Sequence, residues 1–300
     1  MWLFDLFKKK KEGAVPAAVN PELKAQILRL ASSSLILEED STGKILRPEA
    51  SKIGGKPFLP ADFSWPVFAQ KDEGVERPLA FLCQVNLAEV PLPEGENRLP
   101  ARGMLSFFYE CESFCGGFDP EDEGGARVFY FEDLTDFVAT ALPEALDEAY
   151  RMPEIPLGFR RENSYPGFEE FCVLSDLDCT WNEYDAALES LGVDTQENSE
   201  KHKLLGYADL IQGEILSECE MVKRGLYCGD AESYQNTPKD ELADIRRQAR
   251  EWTLLLQLGT IAKDEFEWMF GDCGMIYYYI KKEDLAQKRF EKGWFSVQCC

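Results

Sequence analysis

Two glutamines hold equivalent places in strands that are otherwise apolar. Gln84 lies in "LAFLCQVNL" and Gln257 in "TLLLQL", and Asn86 follows two residues after the first glutamine. An amide buried without a partner costs about 1 to 3 kcal/mol, so each of these side chains must find hydrogen-bond partners. The partners are either backbone groups of a nearby loop or an extended ligand in a groove between two halves of the fold. We favour the loop and keep the groove as the functional alternative.

Side chains alternate between the two faces of a strand. By this count Leu82, Gln84 and Asn86 share one face of the first strand. In the second strand, Leu255 shares a face with Gln257. Both glutamines are therefore expected on the same face as the leucine two residues before them.

An enzymatic alternative rests on Asp272, which lies between two glycines in "FGDCG" and could act with Gln84 in a hydrolase-like reaction. The sequence has one histidine, His202, and the charges of "EKHKLL" around it predict an exposed side chain. A Ser-His-Asp or Cys-His arrangement would need that residue, and the nucleophile motif GxSxG is absent. Serine-type and cysteine-type hydrolysis are therefore disfavoured.

Neither a metal site nor a cofactor site is predicted. Cys111 and Cys115 have no second cysteine pair of zinc-ribbon type. "DPEDEG" begins like a calcium loop, but the twelfth position of that loop is Tyr130 where a glutamate is needed. "GGKP" lacks the spacing of a phosphate-binding loop, and its proline has no N–H to donate. We expect a solvated acidic loop and no cofactor.

Aromatic residues with polar tips suit either a core or a binding surface. Trp65 ends "GGKPFLPADFSWP", which we interpret as a stiffened lip over the first half, and Tyr207 follows a glycine in "KLLGYADLI". Alternation in "MIYYYIK" places Tyr277 and Tyr279 on one face and Tyr278 on the other. The candidate binding residues are Trp65, Gln84, Asn86, Tyr207, Gln257 and Asp272.

Helix signals occur where a capping residue or a proline precedes apolar residues at helical spacing. They predict helices from Pro21 to about Ser33, from Pro143 to Tyr150, in "WNEYDAALES" after the cap Thr180, and in "TPKDELADIRRQAREW", where Thr237 and Asp240 have capping-box spacing. Six strand-like runs lie between the helices. They are Leu79 to Leu87, Met104 to Tyr109, Val128 to Phe131, Leu254 to Leu258, Met275 to Ile280 and Trp294 to Cys299.

Three sequence blocks recur in the same order, which indicates a duplication. "KIGGKPFLP" corresponds to "KLLGYADLI", "LAFLCQVNL" to "TLLLQLGT", and "GMLSFFYE" to "GMIYYYIK", so that Gly55 falls on Gly206. We predict one compact α+β unit over residues 20–300. Its two related halves, about 50–140 and 200–300, consist of mostly antiparallel sheet flanked by helices. A flexible lysine-rich extension precedes it at residues 1–19.

The balance of 32 basic and 55 acidic side chains gives a formal charge of −23. A field of that sign repels nucleic acid and anionic lipid and attracts a basic partner. The N-terminal "MWLFDLFKKKK" has its charge after a short apolar set, so it is no secretory signal. It is either a solubilising terminus or a weak membrane contact, and we expect no stable insertion. Ten cysteines without an export signal predict a cytoplasmic protein with reduced thiols.

The repeated blocks, together with "RVFYFEDL" and the terminal "FSVQC", resemble the YwqG-like family of bacterial proteins of unknown function. The resemblance runs from about residue 50 to residue 300. The lysine-rich start and the insert "FDPEDEGG" depart from it. The resemblance implies a compact α+β unit with two related halves, and it implies no activity, substrate or active-site residue.

Two functions therefore remain open. We favour a non-enzymatic protein that binds a small ligand or a protein segment in a cleft between the two halves. The alternative is a hydrolase-like enzyme that uses Asp272 and Gln84. General acid–base chemistry near neutral pH usually employs histidine or clustered carboxylates, and the sequence shows no such cluster.

Overall fold

The computed structural model describes residues 19–42, 46–69, 74–91, 99–113, 115–193 and 201–299. The predicted flexible extension, residues 1–19, lies outside these ranges except for its last residue. Within the described ranges, no helix is long and apolar enough to cross a membrane.

Seven α-helices are present in the described part of the chain. They are α1 (Pro21–Leu30), α2 (Phe168–Leu174), α3 (Trp181–Ser190), α4 (Ile215–Lys223), α5 (Ala231–Asn236), α6 (Lys239–Ala249) and α7 (Lys282–Ala286).

Sixteen strands accompany them in the same described ranges. They are β1 (Ser32–Glu39), β2 (Lys52–Ile53), β3 (Phe58–Pro60), β4 (Val67–Ala69), β5 (Glu76–Pro78), β6 (Ala80–Asn86), β7 (Met104–Tyr109), β8 (Ala126–Phe131), β9 (Phe137–Ala139), β10 (Ile155–Ser164), β11 (His202–Leu204), β12 (Trp252–Leu258), β13 (Ile261–Lys263), β14 (Phe266–Trp268), β15 (Met275–Lys281) and β16 (Trp294–Gln298).

Ten of these strands form one antiparallel sheet in the order β16-β15-β12-β11-β1-β10-β2-β6-β7-β8. Three small two-stranded sheets, β13-β14, β3-β9 and β4-β5, lie beside it. The prediction of a single α+β unit with antiparallel sheet and flanking helices is confirmed. The residue limits of the two halves stay a prediction.

The two longest strands form the centre of the sheet. β1 and β10 pair along eight residues, from Ser32 opposite Ser164 to Glu39 opposite Leu157. Each central strand also pairs with a short strand that follows the other one in sequence: β1 with β11, and β10 with β2. The sequence analysis missed both central strands, because "SSSLILEE" and "IPLGFRRENS" mix polar and apolar residues without clear alternation.

Matched strand pairs on either side of this centre support the duplication. Lys52 of β2 lies opposite Gln84 of β6, and Lys203 of β11 lies opposite Gln257 of β12. A β-bulge interrupts β6 between Phe81 and Cys83 and interrupts β12 between Leu254 and Leu256. At the first bulge the Gly54 N–H donates to the Leu82 carbonyl over 2.8 Å, and at the second the Leu205 N–H donates to the Leu255 carbonyl over 3.2 Å.

The two glutamines make equivalent hydrogen bonds to loop backbone. The Gln84 Oε1 accepts from the Phe58 N–H, and its Nε2 donates to the carbonyls of Pro48 and Ala50, each over 2.8 Å. Gln257 likewise accepts from the Asp209 N–H over 2.8 Å and donates to the Lys201 carbonyl over 2.9 Å. In both halves the backbone N–H that donates to the glutamine lies six residues after the paired lysine. A carbonyl that accepts from the glutamine lies two residues before that lysine.

The bulges change the face on which each glutamine lies. Residues directly opposite in an antiparallel pair share a face, and an extra residue in one strand shifts the alternation beyond it. Gln257 lies opposite Tyr277, whose side chain packs on the helix side, whereas Leu255 at the bulge joins the core on the other side. The prediction that Leu255 and Gln257 share a face is therefore wrong, and the equivalent bulge at Leu82 breaks the count in β6 in the same way.

The sheet curls until its two ends meet over an inner core. The rings of Phe107 and Tyr278 lie 5.2 Å apart edge to face, and the Tyr278 hydroxyl donates to the Phe108 carbonyl over 3.0 Å. A second core forms between the other face of β12 and β15 and the helices α4 and α6, and it contains Tyr277 and Tyr279. The predicted division of the three tyrosines between two faces is confirmed.

Three of the four predicted helices are present as α1, α3 and α6, although Thr237 does not cap α6. The helix predicted from Pro143 to Tyr150 is wrong: that segment forms turns and one 3₁₀ turn, Glu148–Tyr150. The Arg151 guanidinium donates to the carbonyls of Pro143 and Leu146, over 3.4 and 2.8 Å, and these side-chain bonds hold the turns together.

We predict that Gln84→Leu and Gln257→Leu each lower the free energy of unfolding by about 2 to 4 kcal/mol, because each leaves buried polar groups of a loop without a partner. Urea unfolding monitored by tryptophan fluorescence measures the loss. The exposed Gln287→Leu serves as the control and should change the stability by about 0.5 kcal/mol or less. A loss below about 1 kcal/mol in either buried variant would show that the loops do not depend on these amides.

Candidate functional site

All six candidate residues from the sequence lie in described parts of the chain, and the structure does not gather them into one site. Gln84, Asn86 and Gln257 are buried, and Asn86 donates to the Glu49 carbonyl over 3.0 Å. Trp65 is half-buried, and its indole N–H donates to the Leu79 carbonyl over 2.9 Å while its ring meets Phe108 edge to face. The binding role of these residues stays a prediction, while their visible contacts support loops and core.

Asp272 and His202 also differ from the expected enzymatic arrangement. Asp272 is exposed on the turn between Phe270 and Gly274, whereas both N–H groups of the Gln84 amide are already used by its loop. His202 was expected to be exposed, but it is largely buried, and its Nδ1 accepts from the Gly259 N–H over 3.1 Å. Burial lowers the pKa of His202 to about 4, so this imidazole is neutral at pH 7.

A cavity of about 440 Å³ lies where the ends of several elements converge on the helix side of the sheet. The end of α1, the helix α2, the loop after β11, the start of β12 and the helix α7 all contribute to it. Its lining has seven aliphatic residues, one glycine, one tryptophan and five residues with polar or charged side chains. The lining residues are Arg29, Leu30, Ala31, Glu170, Leu174, Gly206, Tyr207, Leu216, Trp252, Thr253, Leu254, Lys282, Leu285 and Ala286. We call it the Glu170 cavity.

Glu170 is a buried acid in the wall of this cavity. It lies in the first turn of α2 with 1% of its surface exposed, on the same side of the helix as Val173 and Leu174. The Tyr279 hydroxyl donates to Glu170 Oε1 over 3.0 Å. Among the described residues, no hydrogen-bond partner reaches Glu170 Oε2. One oxygen of this carboxyl group is thus satisfied and the other is not.

The neighbouring hydroxyls cannot supply the missing partner, because they are already bonded to backbone carbonyls. Tyr184 donates to the Pro166 carbonyl over 2.5 Å and Tyr207 to the Leu30 carbonyl over 2.6 Å. Tyr277 donates to the Asp209 carbonyl over 2.7 Å. These three bonds fix the rings around the carboxyl group and direct their protons away from it.

The surroundings of Glu170 favour its neutral form. Burial raises the pKa of Glu170 to about 8, and the nearby Glu214 acts in the same direction. The Tyr279 hydrogen bond, the charge of Lys203 and the Gly167 backbone act the other way. Lys203 is itself bound to Asp209, with 2.7 Å between Nζ and Oδ1. At pH 7 the carboxyl group therefore carries a proton, and Oε2 needs an acceptor, or a cation that replaces the proton.

Of the residues that line the Glu170 cavity, the sequence analysis proposed Tyr207 as a candidate binding residue and did not propose Glu170 or Trp252. The available signal is in "GFEEFCVL", where Glu170 precedes Val173 and Leu174 by three and four residues, on an otherwise apolar helical stripe. An acidic side chain in that position either points to solvent or is buried with a hydrogen-bond partner or a ligand. Only packing against β15, which brings Tyr279 to the carboxyl group, distinguishes the two.

The described residues contain no group of three or more His, Cys, Asp or Glu side chains arranged to hold a metal ion. The chemistry that the Glu170 cavity offers is therefore that of one buried carboxyl group among apolar walls. Such a site can donate a hydrogen bond, or bind a cation as a carboxylate, while the walls bury apolar surface.

We predict that Glu170→Gln removes a pH dependence of stability. A pKa raised from 4.5 to about 8 means that the folded state holds a proton that the unfolded state has released, so stability falls as the pH rises from about 5 to 8. Between pH 5 and 7 the wild type should lose about 2 to 3 kcal/mol more than the variant. Urea unfolding at several pH values measures this, with Glu169→Gln as the control. Parallel curves for wild type and Glu170→Gln would contradict the assignment.

Comparison with protein families matches residues 51–299, which include both repeated strand sets and most of the lining of the Glu170 cavity, to a family described as a domain of unknown function, DUF1963. No curated protein matches the sequence. Because the match covers most of the chain, this protein belongs to the DUF1963 family.

Proposed function

We propose that this protein is a non-enzymatic binding protein that holds a small ligand in the Glu170 cavity. The observation that carries the proposal is the unpartnered Oε2 of Glu170, an oxygen of a side chain only 1% exposed in the wall of a cavity of about 440 Å³. Cavities of about 300 to 1,000 Å³ with mostly apolar walls and a few polar groups are typical ligand sites.

The free energy of the empty site supports this assignment. A buried polar atom without a partner costs about 1 to 3 kcal/mol, and buried polar groups in native proteins nearly always have partners. A leucine or a glutamine at position 170 would have no ionisable group to bury, so a merely structural role would not require a glutamate there. A ligand group that bonds to Oε2 would complete the interactions of the carboxyl group. Sites that break a local packing rule in this way are commonly functional.

The polar groups of the cavity support binding over catalysis. Many acid–base enzymes place a second catalytic group beside the first, such as the paired acid and base that give a bell-shaped pH dependence. The Tyr207 hydroxyl is bound to the Leu30 carbonyl, and Lys282 Nζ donates to the Arg250 carbonyl over 2.5 Å. Glu170 thus has no visible catalytic companion among the described lining residues.

A cleft between the two halves, the site expected from the sequence, has a counterpart in a smaller cavity of about 200 Å³ between β8 and β16. It is walled by Phe129, Tyr278 and Phe295, with Arg127 and Lys223 at its side. Within the described residues, none of its lining side chains has a buried polar atom without a partner. We therefore assign the ligand to the larger Glu170 cavity.

We further propose that this binding protein acts in the cytoplasm and belongs to the YwqG-like branch of its family. Nine cysteines lie in the described ranges and no disulfide joins any two of them, which suits a reducing compartment. The blocks that resemble the YwqG-like family, such as "GGKPFLPADFSWP" and "GDCGMIYYYIKKEDL", fall within the matched range 51–299. The formal charge of −23 favours a basic ligand or partner over nucleic acid.

We predict that Leu174→Trp blocks the cavity, because a larger ring at this half-buried lining position occupies the space of a ligand. A fragment library screened against ¹⁵N-labelled protein should give fragments that shift the Trp252 indole signal. These shifts should disappear in Leu174→Trp. Leu177→Trp, three residues further along and also half-buried but outside this lining, is the matched control and should keep them. Fragment shifts that persist in Leu174→Trp, or a screen without any shift at Trp252, would contradict the proposed function.

A further inference from the structure

We infer that the ligand of the Glu170 cavity is an organic cation with an apolar chain, an alkylammonium group whose nitrogen binds the Glu170 carboxylate. This inference rests on the proposed function and specifies the class of ligand. It draws on the charges around Glu170, the groups at the cavity rim and the character of the walls.

Acids outnumber bases around Glu170. Glu214 and Asp209 lie on the elements packed against it, and Lys203 is the base whose charge acts on it. Lys203 is engaged by Asp209, with 2.7 Å between Nζ and Oδ1. Glu214 caps α4 by accepting from the Ser217 N–H over 2.9 Å. Lys203 is paired with Asp209, and Arg246, whose charge acts on Glu214, donates to the Cys172 carbonyl. No base among the described residues forms an ion pair with Glu170, and an ammonium group would supply one.

The two basic residues in the described lining are committed elsewhere. Arg29 Nε donates to Gln26 Oε1 over 2.9 Å, and Lys282 Nζ donates to the Arg250 carbonyl over 2.5 Å. Both side chains are exposed, so their charges are largely hydrated. The last residues of α1, Arg29 and Leu30, line the same cavity, so the negative end of this helix dipole lies beside it. An anionic ligand would therefore meet the negative end of this helix dipole.

The walls suit an alkyl chain. Leucines from α1, α2, α4, β12 and α7 surround the space, and together they would bury a hydrocarbon chain. Trp252 adds an aromatic ring that already binds a cation, since Lys281 Nζ lies 5.4 Å from the ring centroid. Apart from the two exposed bases, the lining thus combines one acidic side chain with aliphatic and aromatic surface, and an ammonium group on an alkyl chain complements both.

Binding must exchange a proton for the ligand. The carboxyl group lies within the wall, so its side chain has to turn into the cavity to reach a ligand. In the empty site the group is protonated at pH 7, because burial raises the pKa of Glu170 to about 8. When an ammonium ion binds, the carboxyl proton leaves to solvent and the ammonium group keeps its own protons. Affinity should therefore rise about tenfold per pH unit from pH 6 to pH 7, level off above about pH 8, and fall above about pH 10 as the amine loses its charge.

The test uses octylamine, octanol and octanoate as probes of equal chain length with different head groups. Isothermal titration calorimetry with the full chain at pH 6, 7 and 8, in two buffers of different ionisation enthalpy, gives affinity and proton release. We expect octylammonium to bind at least tenfold more tightly than the other two, with release of about one proton at pH 7. This measurement on the wild type does not depend on the folding of any variant.

Variants then test whether the carboxylate that binds the ammonium group belongs to Glu170. Glu170→Gln keeps the shape of the side chain and should lower octylammonium affinity at least tenfold at pH 8 while leaving octanol binding unchanged. Glu169→Gln removes an equal charge one residue away and should leave both unchanged. If octanol or octanoate binds as tightly as octylammonium and Leu174→Trp abolishes that binding, the cation inference is overturned and the proposed function stands. If none of the three binds, or if Leu174→Trp leaves their binding intact, both are overturned.

Discussion

The antiparallel pairing of β1 with β10 is the interaction on which the rest of the fold depends. Eight residue pairs join the two strands, and each strand carries on its far edge a short strand that follows the other in sequence. The strand set that begins at β2 therefore needs β10, and the set that begins at β11 needs β1. Because each set is completed by a strand from elsewhere in the chain, the two sets form one sheet and one compact unit.

The same arrangement of a buried glutamine, a β-bulge and a glycine loop occurs once on each side of this centre. A glutamine in a buried strand holds the loop around a glycine with a positive φ, Gly55 at 68° and Gly206 at 75°. A bulge next to the glutamine turns one carbonyl toward that loop. The N–H that donates to this carbonyl belongs to Gly54 in one set and to Leu205 in the other, and both residues have a positive φ. In the repeated part of the structure, the glutamine amides are thus used to hold loop backbone.

The candidate site combines shared and unshared elements: Gly206, Tyr207 and the start of β12 belong to the repeated blocks, whereas the helices that complete its lining do not. Between β11 and β12 the chain inserts α4, α5 and α6, which cover one face of β12 and β15. The corresponding stretch of the first set forms short strands, and there Phe63 and Trp65 pack directly on Phe108. The ring contacts and the indole hydrogen bond place Trp65 against the core, and its binding role stays a prediction. The Glu170 cavity lies at the margin of the helical cover.

The sequence by itself determined the α+β class, the outer strands, the helices α1, α3 and α6, and the correspondence between Gln84 and Gln257. These features depend on local capping, on short-range periodicity and on repeated spacing, all of which can be recognised in the sequence without knowing which segments are in contact. Only the tertiary structure decided the central strands, the bulges and the site. β1 and β10 are strands because they pair with each other across more than a hundred residues of chain, and a bulge exists only relative to a partner strand. Glu170 is an ordinary helical acid in the sequence, and it becomes a candidate ligand group because packing brings Tyr279 to one of its oxygens and leaves the other without a partner.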